Sequence, residues 1–553
     1  MAESVQTSAA SGQPWVTPAS FAQERVWFAS QLTGDVPVYH VVTGIPLAWA
    51  GDVDGLLAIL AATVGRHEPL RTAFRLDDGV LRQVVHPAPP LPVERVDLTD
   101  RPVEDADRQV EEILDRLARV PLPLSEAPLW RAVLARRGAG EWLLLLGIHH
   151  AVFDAASEPV LRAELGERCA AATEAREPDL PELPVQYADW AAWQRDRLTE
   201  RYEELLVHWR AALADLPPVH GVPLDHPRPA VRRFVGGEIL LDLPVGFGAA
   251  LAAAARTLST TPYALLLAGW VAVLHRCSDR DDVVLGIRLG GRDRPELAGL
   301  IGMFVNLAVV RVQVPAAGSY RELAGTVRAA LLDVDEHQVP YQKLVEAMVT
   351  TRLPGVAPLQ QIGFNHLDAG ASRRPGAVED ELMLEVTGGR VRLEYDTALF
   401  EPVTAQRIAA AYTQVMPIVL SDPDVPLAAL PVEAPTRSVP TEVPTSRAAP
   451  GTAAWIPPRT VAEELVAGVW SDVLGRDRIG ALDNFFDLGG HSLLALRVIG
   501  RLSALAEVPL TIQEFFTDVT VAGVAATLER LLEAQIDELD EDEAAELAGR
   551  GAE

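Results

Sequence analysis

The chain has 553 residues, is 49% hydrophobic and carries a formal net charge of −29 at pH 7. That length exceeds what a single hydrophobic core supports, so two to four domains are expected. The acidity excludes nucleic acid as a partner, because phosphate contacts need clustered Lys and Arg side chains.

Neither a membrane segment nor a secretion signal is indicated by the sequence. The longest apolar run, Ala264 to Leu274, has 11 residues and is too short to cross a bilayer. Residues 1–14 lack the basic start and the apolar core of a signal peptide. Only two cysteines occur, Cys169 and Cys277, and neither has metal-ligand spacing. We therefore expect a cytoplasmic protein whose thiols are structural.

A glycine-rich turn joins two strand-like segments in the first half of the chain. Arg131 to Arg136 alternates in polarity and Trp142 to Ile148 is almost continuously apolar, which is typical of a hairpin with one buried strand. His149 and His150 follow directly, and Asp154 lies four residues further on. Because successive strand side chains point to opposite faces, the two imidazoles cannot aim at one target. The pattern favours a single general base or hydrogen-bonding histidine over a two-histidine metal site, with a satisfied core pair as the structural alternative.

Proline-rich breaks divide the rest of the chain. Residues 216–229 interrupt a body in which strand-like and helix-like runs alternate, so we expect an α/β body with two lobes that meet at a cleft. Seven prolines from Pro431 to Pro458 predict an extended linker. The predicted units are a flexible N-terminus (1–14), the body (15–430, with lobes at about 15–215 and 216–430), the linker (431–458), a small helical module (459–535) and an acidic tail (536–553).

The helical module begins with a recognisable start signal. Thr460 followed by Glu463 forms a capping-box pattern, and apolar residues then recur every four positions from Val461 to Val473. At the far end, seven carboxylates among residues 537–546 predict either a solvated tail or a docking segment for a basic partner surface.

Within this module, Asp487 to Arg497 (DLGGHSLLALR) places two glycines ahead of a run of good helix formers. Ser492 is therefore predicted at a helix N-terminus, where free N–H groups and the helix dipole stabilise a phosphate. A plain N-cap serine is the alternative. The sequence contains no P-loop, no GxGxxG after a strand and no GxSxG nucleophile elbow.

The segment Asp487 to Arg497 resembles the attachment motif of the peptidyl carrier proteins of nonribosomal peptide synthetases. The resemblance covers Arg459 to about Gln535 and implies a four-helix carrier domain with 4'-phosphopantetheine on Ser492. A phosphopantetheinyl transferase would attach that arm, whose thiol would hold an aminoacyl or peptidyl group as a thioester.

The body resembles a condensation domain of the same synthetases, a relative of chloramphenicol acetyltransferase, and this resemblance implies a two-lobed chloramphenicol acetyltransferase-like α/β fold. Six short segments match the family's motifs in order: Ser20–Trp27, Arg66–Phe74, His149–Ala155, Tyr187–Trp193, Ile301–Leu307 and His337–Tyr341.

The resemblance also implies roles for single residues. His150 matches the catalytic histidine, in the middle of a tunnel entered from opposite ends by donor and acceptor arms, and His149 matches the structural one. Asp154 matches an aspartate that pairs with an arginine across the lobes, for which Arg292 is the candidate. Removing either charge would leave the other buried and uncompensated.

The implied reaction is attack by an amine, held on the acceptor arm, on the thioester carbonyl of the donor. His150 would act as a general base, a role worth about 10²- to 10⁴-fold, or would position the amine and stabilise the tetrahedral intermediate. No metal or redox cofactor is needed.

Three features depart from the family pattern. Ala155 replaces the glycine that ends the histidine motif and would cost about 1 kcal/mol if that position needed a positive φ. Arg288 stands where a small residue or proline is usual, and the sequence offers no account of it. No adenylation domain lies between body and carrier, so an adenylation domain is expected to act in trans and an upstream carrier to bring the donor.

Other functions stay open at this point. A noncatalytic platform could recruit a tailoring enzyme to the tethered carrier, and Ala155 favours it. Epimerisation fits less well, because the body precedes its carrier and Ser157-Glu158 replaces the Ser-Trp typical of epimerases. Ester formation with an alcohol, or use of a soluble amine, remains within the condensation hypothesis.

Overall fold

The computed structural model describes residues 13–33, 36–77, 79–87, 89–229, 232–315, 317–349, 353, 355–367, 376–433, 455–490 and 492–538. Most of the predicted N-terminus, linker and acidic tail therefore lies outside the described residues. Among these residues, no single helix is long and apolar enough to span a membrane, although a bent pair of helices, Phe247–Thr257 and Pro262–Ser278, passes that test by length and composition.

The first part of the body, here called the N-lobe, is built around a four-stranded sheet. Its elements are β1 (Trp15–Pro18), α1 (Phe21–Thr33), β2 (His40–Ala48), α2 (Val53–Arg66), β3 (Thr72–Asp77), β4 (Val80–Val85), β5 (Val93–Asp97), α3 (Val103–Arg119), β6 (Trp130–Gly138), β7 (Glu141–His149), α4 (Ser157–Thr173) and α5 (Tyr187–Ala212).

Strand order in the N-lobe sheet is β2-β7-β6-β5, with only β5 and β6 parallel, and β1, β4 and β3 form a small separate sheet. The predicted hairpin is β6 and β7. Residues 144–148 are all buried, and their leucine and isoleucine side chains pack on both faces of the sheet. Such burial explains why β7 is a continuous apolar run without alternation.

The second part, here called the C-lobe, contains a six-stranded mixed sheet in the order β10-β9-β11-β12-β13-β8. Its elements are β8 (Gly236–Asp242), α6 (Phe247–Thr257), α7 (Pro262–Ser278), β9 (Asp282–Leu289), β10 (Asn306–Gln313), α8 (Tyr320–Glu336), α9 (Tyr341–Met348), β11 (Ile362–Leu367), β12 (Leu382–Thr387), β13 (Arg390–Asp396) and α10 (Pro402–Ser421). The run Ala264 to Leu274 is buried throughout, because α7 is the central core helix of this lobe.

Two segments of the C-lobe reach into the core of the N-lobe. Ile301 and Met303 do so from the segment before β10, and Ala377 from the segment before β12. These crossings hold the two lobes together beside the end of β7.

Four helices form the C-terminal module: α11 (Val461–Leu474), α12 (Ser492–Ala506), α13 (Ile512–Thr517) and α14 (Val521–Glu538). The predicted capping box is half right. The Thr460 side chain accepts from the N–H of Glu463, but the Glu463 carboxylate accepts from the N–H of Arg459 instead of Thr460, because the adjacent Arg459 guanidinium pairs with the same carboxylate.

Candidate active site

The paired histidines lie where β7 ends and a short 3₁₀ turn, His150–Val152, begins. The strand therefore ends at His149, and the direction of the His150 side chain is set by the turn, not by the alternation of side chains along a strand. The N–H of His149 donates to Leu129 O at 2.9 Å and the N–H of His150 donates to Tyr39 O at 2.7 Å. The backbone of both residues is therefore fixed by neighbouring chain segments.

His149 is buried and serves the turn. Its Nδ1 accepts the N–H of Ala151 at 3.1 Å, and its ring lies edge-on to that of His40, with centroids 5.7 Å apart. Burial, and then the neighbouring His40 and His150, hold the pKa of His149 well below its usual range. His149 is therefore neutral at neutral pH.

His150 is only half-buried and is held by its other ring nitrogen. Its Nδ1 lies 2.6 Å from the carbonyl oxygen of Phe153. Because a carbonyl oxygen can only accept, Nδ1 carries the proton, and in the neutral imidazole the lone pair is on Nε2. The turn thus orients a ring that can receive a proton at Nε2.

Asp154 is fully buried and satisfied by several donors. Its Oδ1 accepts from the N–H and the hydroxyl of Ser157, at 2.9 and 2.7 Å, and from Arg292 Nη2 at 2.8 Å. Its Oδ2 accepts the N–H of Phe304 at 3.1 Å. The carboxylate therefore ties α4 to the C-lobe.

The guanidinium of Arg292 also binds the backbone of the C-lobe. Nη1 donates to Leu297 O at 2.9 Å and to Leu300 O at 2.7 Å, and the group lies 4.1 Å from the ring centroid of Phe304. The sequence missed the role of Ser157, which also accepts the N–H of Gly302 at 3.0 Å. The sequence pattern that could have indicated this role is a serine three residues after Asp154, at the start of a helix.

Ala155 fits its position without strain, because its φ does not lie in the positive, left-handed region. The cost expected for a left-handed alanine does not arise. Arg288 has an account as well: its guanidinium pairs with Asp380, which is 2% exposed.

Other motif segments meet around the turn. Tyr187 donates to Met303 O at 2.5 Å and shares a hydrogen bond of 2.8 Å with Ser20, so three of the six motifs meet at one hydroxyl. Gln23 donates to Ala151 O at 3.3 Å, which brings α1 against the histidine turn.

The loop before α12 is shaped by its two glycines. Gly489 has a φ of +93°, and a Cβ on Gly490 would lie 2.4 Å from the ring of Phe485. Burial, and then the Asp483 carboxylate, raise the pKa of Asp487. Ser492 is the first residue of α12, and His491 lies outside the described residues. A serine at the start of a 15-residue helix, behind a close-packed glycine loop, fits a phosphate attachment point.

The C-terminal module packs against the N-lobe through α1. Phe28 meets Phe516 edge to face with centroids 5.9 Å apart, and Gln513 Nε2 donates to Leu32 O at 2.7 Å. The Arg497 side chain lies over Gly79, in the turn between β3 and β4. Helix α1 therefore touches this module and the histidine turn at once.

The two cysteines and one histidine-aspartate group lie outside this site. Burial raises the pKa of Cys169 to about 11 and that of Cys277 to about 12, so both are thiols at neutral pH. In the part of the chain that the structure describes, one group of three side chains could approach a metal: His208, Asp333 and His337. The two rings stack in parallel at 3.7 Å, so their in-plane lone pairs do not converge on one point.

Comparison with known families defines the class. A two-lobed α/β body with a histidine at a strand end, joined to a four-helix module, is the architecture of an acyl-transfer domain and its carrier. The profile of the condensation domain family matches residues 15–368, and that of the phosphopantetheine attachment site matches residues 464–528. The chain belongs to the condensation domain family of nonribosomal peptide synthetases and carries a carrier domain that takes 4'-phosphopantetheine on a serine.

Similar proteins are large peptide synthetases. The chain is 33% identical over 436 residues to one of the subunits of linear gramicidin synthase from Brevibacillus parabrevis. It is 35% identical over 435 residues to phosphinothricin tripeptide synthetase PhsC of Streptomyces viridochromogenes. Each match covers 75% of this chain but only 9% and 40% of the two relatives, so the chain spans less than half the length of either.

Solved structures share the fold. The X-domain from teicoplanin biosynthesis, in complex with OxyB, has a TM-score of 0.65 at 25% identity, covering 79% of this chain and all of that one. SgcC5 of Streptomyces globisporus has a TM-score of 0.65 at 26% identity, covering 74% of this chain and all of that one. The expected chloramphenicol acetyltransferase-like condensation fold and helical carrier are confirmed.

Proposed function

We propose that the chain catalyses amide formation between a donor acyl group, brought as a thioester on a separate carrier, and an amine held on its own carrier domain. His150 is the catalytic residue, His149 and the Asp154–Arg292 pair hold the turn, and Ser492 carries the acceptor arm. When bound, 4'-phosphopantetheine supplies the thiol that holds the acceptor residue.

The observation that carries this proposal is the double contact of α1. One side of the helix packs on the carrier through Phe28, and the other donates from Gln23 to the histidine turn. A carrier docked on that helix lies beside the element that holds His150, as an acceptor carrier must.

The chemistry asked of His150 matches its geometry. Its Nδ1–H is held by the Phe153 carbonyl, so a proton lost by the attacking amine can be received at Nε2. A carbon–nitrogen bond forms, the carbon–sulfur bond of the donor breaks, and the proton ends on the released thiol. The neutral state of His149 avoids a second positive charge beside the imidazolium.

The remaining partners belong to the same proposal. An adenylation domain acting in trans activates the acceptor, a phosphopantetheinyl transferase modifies Ser492, and an upstream carrier delivers the donor. A docking role for the acidic tail belongs to this scheme as a further proposal, on residues outside those described.

The test loads the full chain with an aminoacyl-phosphopantetheine and adds an acyl-loaded donor carrier. Intact-protein mass spectrometry should show the chain gaining the mass of the donor acyl group. Ser492→Ala should take up neither arm nor acyl group, and Ser503→Ala, in the same helix, is the matched control. A loaded chain that never gains acyl mass from any donor contradicts the proposal.

Two observations favour other outcomes. The X-domain was solved with OxyB bound, which supports a noncatalytic platform as the second candidate, and SgcC5 was solved with a naphthyl ethanediol, which supports an alcohol acceptor. In the same assay a platform gives no acyl transfer, whereas an ester-forming chain accepts a hydroxyacyl arm. Alkaline hydrolysis of its released product then separates the donor acyl group from the hydroxy acid, which an amide product would resist. Epimerisation would exchange the α-hydrogen of the loaded residue without a change of acyl mass.

A further inference from the structure

A segment of the C-lobe enters the N-lobe just before β12. The side chain of Ala377 lies in the N-lobe core, and the N–H of Val378 donates to Phe234 O at 3.0 Å. Glu379 comes next, and Arg232 Nη1 donates to its backbone oxygen at 2.8 Å. The position of Glu379 at the junction of the lobes is therefore fixed by its own backbone.

The Glu379 carboxylate gathers partners from both lobes. Arg25 Nη1 and the hydroxyl of Tyr39, both from the N-lobe, donate to Oε1 at 2.5 and 3.0 Å. Arg288 Nη2, from the C-lobe, lies 3.7 Å from Oε2. The side chains of Arg25 and Arg288 are 11% and 15% exposed, so these charges are shielded from water.

A second carboxylate balances the charge. Asp380 pairs with Arg288 and accepts from Gln360 Nε2 at 3.2 Å. A Cβ on Gly363 would lie 2.6 Å from Arg288 Nη1, so a glycine there leaves room for the guanidinium. Two carboxylates and two guanidinium groups make the cluster neutral. We call Arg25, Arg288, Glu379 and Asp380 the Glu379 cluster.

The cluster touches the histidine turn through the backbone. Tyr39 binds Glu379 with its hydroxyl, and its carbonyl oxygen accepts the N–H of His150 at 2.7 Å. Arg25 lies on α1, where Gln23 donates to Ala151 O. Both N-lobe partners of Glu379 thus stand on segments that hold the turn.

We propose that Glu379 is a positioning residue for His150: it holds Tyr39 and α1 in the places from which they fix the histidine turn, and Arg288 is its balancing cation. This inference rests on the proposed function, but it concerns a different set of side chains. Glu379 acts through Tyr39 and α1 and touches no reacting atom.

The test uses the full chain, whose own carrier supplies one acceptor and so permits one turnover. Glu379→Gln keeps the shape but removes one of the two negative charges, so Arg25 loses its carboxylate partner and Asp380 is left to balance both guanidinium groups. The single-turnover rate constant should fall about 10- to 100-fold, the scale for a misplaced catalytic group. The amplitude, which reports the folded fraction, should stay unchanged. Asp242→Asn, in an exposed pair with Arg390, is the matched control.

Charge balance provides the second arm. Adding Arg25→Gln to Glu379→Gln makes the cluster neutral again and leaves Arg288 and Asp380 paired, so the double variant should react faster than Glu379→Gln alone. A double variant slower than the single one contradicts the charge balance assigned to the Glu379 cluster.

Amide hydrogen exchange gives a readout independent of turnover. In Glu379→Gln the N–H of His150 should exchange faster than in the wild type, while peptides of α7 stay protected. A wild-type rate constant with a lower amplitude, or unchanged exchange at His150, would overturn the inference and leave a purely structural cluster. If the wild type itself transfers no acyl group, the proposed function fails first, and the exchange data still decide the role of Glu379.

Discussion

Two ionic groups join the lobes, and they balance charge in different ways. Among the described residues, Asp154 faces a single guanidinium, that of Arg292, and its other hydrogen bonds come from Ser157 and the backbone. The Glu379 cluster shares two carboxylates between two guanidinium groups. A shared cluster tolerates partial loss, whereas a single pair leaves one uncompensated buried charge when a partner is removed. The stability of variants in the two groups should therefore differ.

Arg292→Met should cost most. Asp154 is fully buried, so removal of the cation beside it should lower the free energy of unfolding by about 3–5 kcal/mol. Urea unfolding of the full chain measures this loss. Arg390→Met, in a pair that is mostly exposed, should change little. Equal losses in the two variants would show that burial does not decide the cost.

Another buried carboxylate, that of Glu68, has a more distant cation, since Arg71 Nη2 lies 3.9 Å from its Oε1. Burial raises the pKa of Glu68 from 4.5 to about 7. Between these values the folded chain keeps a proton that the unfolded chain releases, so stability falls as the pH rises from about 4.5 to about 7, by about 3 kcal/mol.

In Glu68→Gln this part of the pH dependence should vanish. The measurement is the difference in unfolding free energy between wild type and variant at pH 5 and at pH 8. A difference that does not change with pH would place the pKa of Glu68 at its ordinary value.

Arg292→Lys separates charge from geometry. Lysine keeps the positive charge beside Asp154 but cannot reproduce the planar fork that also reaches Leu297 O and Leu300 O. We expect a loss of about 1–3 kcal/mol, between wild type and Arg292→Met. A lysine variant as unstable as the methionine variant would show that the backbone contacts outweigh the ion pair.

Tyr39→Phe should cost least, about 1 kcal/mol, because Glu379 keeps both guanidinium partners when the hydroxyl is lost. Urea unfolding again measures it. A loss as large as that of Arg292→Met would mean that the Glu379 cluster behaves as a single pair.

The same contrast explains what the sequence could predict. The hairpin predicted from Arg131 to Ile148 matches β6 and β7, and the family motifs led to Asp154 and Arg292, which lie in contact. The Glu379 cluster was out of reach, because Arg25 and Glu379 are 354 positions apart and belong to no shared pattern. Only Arg288 was conspicuous, as an arginine where a small residue or proline is usual in the family. A buried ion network is fixed by how the lobes pack, which local periodicity does not encode.

The second half of the capping box failed for a related reason. Thr460 and Glu463 have the expected spacing, yet the Glu463 carboxylate binds the N–H and the guanidinium of Arg459. The capping-box pattern does not include that guanidinium. The predicted domain limits stay predictions. So do the assigned roles of His150 and Ser492, which the acyl-transfer experiments test.

The central claim is that His150 promotes acyl transfer to the chain's own carrier. The most direct test is the single-turnover rate constant of His150→Ala, loaded on Ser492 and given an acyl-loaded donor carrier. We predict that the rate constant falls about 10²- to 10⁴-fold, while the carrier is still fully loaded and the urea unfolding curve is unchanged. The control His226→Ala, at an exposed histidine, should react as the wild type does. A His150→Ala chain that transfers the acyl group at the wild-type rate would contradict the account.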